Sequence, residues 1–404
     1  MKDSDEQEVT TVRLLEGKRS REEYEEFRKQ LQAVSKRQLE EFMLMHIRNE
    51  KGEQQKGVAS KRYTDQSIFE GHMVGDMRDG KGVLTLGPGE VYFGDFHRNK
   101  IEGKGVHLLP SGEKYEGQFQ EGLRWGVGRY IYLGGDFYDG EWRGGLKHGE
   151  GKMYYFGADE LYSGQFVQGV REGHGVFKFS FGDLFDGEWK GDKREGQGKL
   201  TYSNGDLYEG HWLADRADGV GTMTYADGDI YEGMWAGGKK NGQGKMSYRD
   251  KGEYEGQFRE DKRHGPGRFV YESGDFYVGN WREDMRHGRG TYRYSNGDVY
   301  TGEWRFDKPS GAGELQSAST GKYSGEWVEG EMDGEGILEY PNGDVYQGNW
   351  YRGMRHGQGT YVWAEGQAFT GNWVEDHIAG KGTLKDGPDS YRLVEFHGGK
   401  FIPV

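Results

Sequence analysis

The sequence predicts an all-β fold: an elongated single-layer solenoid of about fourteen stacked hairpins, preceded by an N-terminal α-helix. Three observations carry the prediction. A unit headed by an aromatic residue returns every 23 residues, as Phe185-Asp186-Gly187-Glu188-Trp189, Tyr208-Glu209-Gly210-His211-Trp212 and Tyr231-Glu232-Gly233-Met234-Trp235. Within a unit the large side chains alternate with period two, the periodicity of a strand and not of a helix. Aromatics make up 14% of the residues although only 33% are hydrophobic and the mean hydropathy is -0.98, so few but large groups recur at fixed places. A fixed period of this length marks a repeat architecture, whose core grows in one dimension, so 404 residues do not imply several domains.

Taken in order, residues 1–19 read as a disordered, solvated arm. Residues 20–49 read as an amphipathic helix. Ser20-Arg21-Glu22-Glu23 fits a capping box. Tyr24, Phe27, Leu31 and Val34 then line one apolar stripe. The stripe drifts to Leu39, Phe42, Met43 and His46, and Ser35, Lys36 and Arg37 interrupt it, which argues against a long regular coiled coil. Two roles fit this helix, a cap packed on the array or a docking or dimerising element. In the second, Phe27, Leu31, Val34, Phe42 and Met43 are the partner-binding candidates. Glutamates on its polar face argue against a membrane-surface helix. Residues 50–68 read as a polar linker.

Residues 69–391 read as the array, with units headed at Phe69, then at fixed steps through Tyr92, Tyr208 and Tyr300 to Phe369. Every step is 23 residues except the 24 from Tyr138 to Tyr162. Two residues after each head is glycine, four after is Trp in nine units, and eleven and thirteen after are both glycine throughout. Seventeen after is usually a second aromatic, such as Tyr202 or Tyr294. Asn204-Gly205, Asn296-Gly297, Asn342-Gly343 and Asp227-Gly228 are tight-turn signals, so each unit is a hairpin. The paired glycines, Gly196 and Gly198 for example, read as a glycine-rich return turn that needs positive φ or close approach. Gly210 reads as a notch for neighbouring rings. At roughly 4.8 Å between strands, fourteen units would make a rod on the order of 130 Å long.

Two places break the rhythm. Phe156–Tyr162 carries the extra residue, read as a longer hairpin loop. The unit from Tyr300 has Lys308-Pro309-Ser310 in its return segment and Ser317 where an aromatic is usual, so Lys308 and Pro309 are candidates for a bend or a partner contact. Residues 392–404 read as a closing tail for the last edge.

Composition removes several classes. Zero cysteines exclude a disulfide framework, a thiol nucleophile and thiolate zinc. The start of the chain is polar and acidic, and no window approaches 18 apolar residues, so a soluble intracellular protein is expected. A net charge of -14, with bases interleaved among acids, argues against nucleic acid and against anionic membranes.

Histidines recur at His148, His264, His287 and His356, but one-unit spacing of roughly 9–10 Å cannot converge on one ion, whose ligands stand about 2 Å away. Gly80-Lys81-Gly82 and Gly103-Lys104-Gly105 lack the Ser/Thr and helix of a nucleotide loop. Carboxylates are spread evenly, with no distinct acid/base pair. No catalytic, cofactor or metal residues are predicted, and no enzyme activity.

Tandem units of the form Y-x-G-x-W…G-x-G…Y-x-[ND]-G-D-x-Y resemble the MORN repeat family over residues 69 to about 391. The resemblance implies an elongated solenoid of hairpins acting as a scaffold. The family includes radial-spoke-head and other axonemal proteins, cortical cytoskeletal organisers, junctophilins, and regulatory segments fused to lipid kinases or methyltransferases. A short helical head on a long pure array is most similar to the axonemal or cytoskeletal type. That implies other axonemal or cytoskeletal proteins as partners, with a homodimer as an option, and a cytoplasmic location on the cytoskeleton of a cilium or flagellum. The alternative is a peripheral membrane organiser that binds acidic phospholipids through the repeats.

Overall fold

A computed structural model describes residues 21–387 and 390–404. The N-terminal arm and Ser20 of the expected capping box lie outside the described residues. The chain divides into two compact units, Met1–Arg216 and Ala217–Val404.

The first unit opens with α1 (Arg21–His46), followed by fourteen strands from Val58–Arg62 to Leu207–Leu213. Each strand pairs antiparallel with the next. Val58–Arg62 is a correction to the expected linker: it pairs residue for residue with Ile68–Val74, from Val58↔His72 to Arg62↔Ile68. The first repeat strand would otherwise leave its backbone groups unpaired at an open edge, and this short strand covers them.

One repeat shows the grammar. In Leu184–Lys190, burial alternates so that Phe185, Gly187 and Trp189 face inward. The chain reverses through Gly191-Asp192, with φ 55° and 67°, the mirror-image two-residue turn that suits strand twist. It returns along Lys193–Thr201 and reverses again through Ser203-Asn204-Gly205. There Gly205 N donates to Tyr202 O at 3.0 Å and Tyr202 N to Asp206 O at 2.9 Å.

The paired glycines are therefore not a turn, as the sequence suggested; they lie inside the return strand. Gly187↔Gly198 and Trp189↔Arg194 are in register, so one residue on the first strand faces three on the second. Gly196, at φ 70°, makes that bulge possible. Gly198 has another task. A Cβ there would sit 2.5 Å from the Phe185 ring, which lies across the Gly187–Gly198 pair.

Packing then repeats with the text. Phe185 meets Trp189 edge-on at 5.3 Å and the next unit's Trp212 edge-on at 5.2 Å. Trp212 Nε1 donates to Gly198 O at 3.1 Å. Where the head is tyrosine, its hydroxyl donates three residues on, as Tyr208 does to His211 O at 2.9 Å. Within this unit the core is thus a zipper in which a head ring such as Phe185 or Tyr162 touches one ring of its own repeat and one of the next.

The last turns of α1 pack on the opposite, outward face of the first repeats. Leu39, Phe42 and Met43 lie on Val83, Phe93 and Val106, with Ile47 fully buried among them. Phe42 and Phe93 rings stand 5.4 Å apart. Arg48 anchors the end of the segment through two 2.9 Å bonds to the Glu70 carboxylate.

The second unit uses the same grammar from Arg216–Thr224 onward, with seventeen strands. Its hairpin turns are linked by the aspartate that follows the turn glycine, as in Ser273-Gly274-Asp275 and Asn342-Gly343-Asp344. Asp275 accepts from Ser295 N at 2.7 Å and Tyr292 Oη at 2.8 Å. Asp344 accepts from Ala364 N at 2.9 Å and from Tyr361 Oη. Residues 300–322 keep the common register, with Tyr300↔Leu315 and Gly302↔Gly313. At the end, Ser390–His397 and Lys400–Pro403 pair as closing strands, and Phe401 stacks on Phe369 at 5.2 Å. In the first unit, the extra residue near 158 does lengthen a hairpin loop, between Tyr155 and Glu160.

Candidate interaction surface

The inward face is consumed by the fold itself. Besides the rings, it holds a cation nine residues after many heads. Arg194 stands over the Trp212 ring at 4.3 Å, bonds Asp215 Oδ1 through Nε at 3.3 Å and Asp215 O through Nη2 at 2.8 Å. Arg171 with Asp192, Arg263 with Asp284, Arg286 with Asp307 and Arg355 with Asp376 repeat the arrangement. These guanidiniums are mostly buried, each clamping one turn to the unit before it. The sequence reading passed over them, although the signal was there: an arginine paired with an aspartate 21 residues on.

That clamp explains Pro309. The residue 21 positions later is Gly330, which has no side-chain acceptor for a backbone N–H, so proline leaves nothing unsatisfied; Gly330 N donates back to Pro309 O at 2.9 Å. Pro309 sits opposite Trp304 in an unbroken strand. Lys308 bonds Glu329 at 2.8 Å on the exposed face.

The helix candidates separate. Phe42 and Met43 are taken up by the packing on Val83 and Phe93, whereas Val34 is 40% exposed. Phe27 and Leu31 fall on α1 where the side chains lie outside the description. Among the described residues no group of three His, Cys, Asp or Glu is placed to hold a metal ion, and no helix is long and apolar enough to cross a membrane.

On the outward face of the second unit lies a feature that periodicity did not single out. Arg259, Arg282 and Arg305 occupy the same position in three successive repeats, all exposed. Two adjoining open depressions, of about 430 and 540 Å³, run between them. His287 lines both depressions, and its ring meets that of Phe306 at 5.8 Å. Phe306 is 55% exposed, with the Arg305 guanidinium 5.7 Å above its ring.

Compared with known proteins, the chain matches the MORN repeat in fourteen consecutive copies, from residues 69–91 to 369–388. No curated protein matches it. Among solved structures, the TCP10 domain of Danio rerio CPAP in complex with a STIL peptide shares 13% identity, with 71% of this chain and 96% of that one covered and a TM-score of 0.26. The TCP domain of Drosophila melanogaster SAS-4, in complex with a proline-rich motif of Ana2, shares 13% identity over 43% and 81% of the two chains, with a TM-score of 0.23. Superposition at that level carries no functional argument.

Proposed function

Because the chain belongs to the MORN repeat family, we propose that it is a non-enzymatic scaffold holding other proteins, as a structural component of the ciliary or flagellar axoneme, radial-spoke or microtubule-associated, or of related cytoskeleton. MORN arrays are repeat scaffolds for protein or membrane interaction. The observation that favours protein is the division of labour between faces. Aromatics, glycines and clamping arginines close the inward face on itself, and the outward face presents side chains at a fixed repeat. The net charge of -14 disfavours anionic lipid. Phe27, Leu31 and Val34 on α1 are candidates for a second partner or self-association surface, as are Lys308, which pairs across its hairpin with Arg305, and Pro309.

Proximity labelling in the native cell, with sedimentation against anionic vesicles in parallel, tests this reading. Enrichment of axonemal or cytoskeletal proteins with no vesicle binding is the expected outcome. Salt-sensitive sedimentation with phosphatidylserine vesicles and no enriched protein set would replace it with the membrane-organiser reading.

A further inference from the structure

Phe306 is an anomaly that the fold does not require. It occupies the first position of a two-residue turn at φ 50°, a left-handed conformation costly for a bulky residue. The other thirteen units place Gly, Ala, Glu, Gln or Arg there. An exposed aromatic ring held in a strained turn packs little and shields little, so its contribution lies outside the fold.

Its surroundings are electrostatically unlike the rest of the chain. Residues 254–311 carry ten acidic and ten basic residues, on a chain whose net charge is -14. The acids of the local turns are already engaged: Glu283 by Lys262 at 2.6 Å, Glu329 by Lys308 at 2.8 Å, and Asp284 and Asp307 by the Arg263 and Arg286 clamps. Arg259, Arg282 and Arg305 are left without an ion pair among the described residues, with Glu303 the one carboxylate lining the groove.

We propose that this groove binds an extended acidic segment of a partner protein, with Phe306 as its apolar anchor. The inference rests on the scaffold reading and names the chemistry of one partner. Spacing argues for a peptide. Successive arginines are two strands apart, about 10 Å by strand spacing, and a polyproline II segment returns to the same face every third residue, an advance of about 9.3 Å. Carboxylates at every third residue of such a segment crossing the strands therefore share one face and meet Arg259, Arg282 and Arg305 in turn. A single lipid headgroup satisfies one rung and leaves the others unpaired, and a flat anionic bilayer would also meet the neighbouring acids.

The test is fluorescence anisotropy on the full chain, using a labelled peptide with Glu at every third position and one Tyr. An isomer of the same composition with its glutamates clustered is the control, and phosphatidylserine vesicles are a third arm. The spaced peptide should bind in a salt-sensitive manner and more tightly than the clustered isomer. Arg282→Glu should weaken it about tenfold. Phe306→Gly should weaken it about fivefold while the melting temperature stays level or rises, because glycine relieves the turn. Equal affinity for the clustered isomer, undiminished binding by Phe306→Gly, or binding to vesicles but not to peptide would each overturn the proposal. Such a failure leaves the scaffold reading standing, since that reading falls only if proximity labelling returns no protein set.

Discussion

At the residue scale, the glycines of this chain divide into two kinds with different costs. Gly267 faces Gly256, and a Cβ on it would lie 2.6 Å from the ring carbons of Tyr254, which has no room to retreat. Gly297, at φ 96° in a hairpin turn, has nothing within 4 Å of the same imaginary atom. Gly267→Ala should therefore cost about 3 kcal/mol through overpacking, and Gly297→Ala about 1 kcal/mol through backbone strain alone. Urea unfolding of the two variants separates these costs; equal losses would mean that the ring over Gly267 shifts freely. The sequence made the need for glycine at Gly196 and Gly198 legible, but not where they sit. A G-x-G pair is the same text whether it turns the chain or bulges a strand. Only the ring lying across Gly198 tells the two apart.

At the scale of elements, what joins one repeat to the next was partly hidden for a similar reason. Arg263 and Asp284 are 21 residues apart in the chain and bonded at 3.1 Å, and that pairing becomes visible only when the strands are placed side by side. Pro309 with Gly330 is the same site with both partners removed. Restoring them gives a prediction. Pro309→Arg places a guanidinium over Trp327, Gly330→Asp supplies its acceptor, and the double variant should gain about 1–2 kcal/mol. Each single change should gain little or lose stability, because an introduced carboxylate without its guanidinium sits unpaired in the turn. A double-mutant cycle by chemical denaturation should give a coupling of about 1 kcal/mol; strict additivity would show that the clamp contributes no stability. The helix behaved likewise. Its stripe drift at Leu39, Phe42 and Met43 was readable, but its seat on Val83, Phe93 and Val106 required knowing which residues of a strand point outward. Phe42→Asp should release α1, seen as rapid amide exchange over residues 21–46, with protection of the repeat strands retained.

At the scale of the whole molecule, stability in a repeat array is a chain of neighbour terms with no single centre. The aspartates before the hairpin heads are one such term, and they make the array sensitive to acid. Hydrogen bonds from Tyr292 and Ser295 hold the Asp275 carboxyl below its ordinary range. Bonds from Tyr361 and Ala364 do the same for Asp344. Each therefore favours the folded state wherever the carboxylate is ionised. That contribution is complete above the unfolded value of about 3.9 and is lost as pH falls through the lower folded one. Asp275→Asn and Asp344→Asn keep the size of the side chain and remove the titration. At neutral pH both variants should melt below the parent, and between roughly pH 5 and 3 the gap should narrow as the parent loses what they never had. Melting temperatures measured across that range decide it. A gap that stays constant with pH would mean that shape, and not charge, links one hairpin turn to the next.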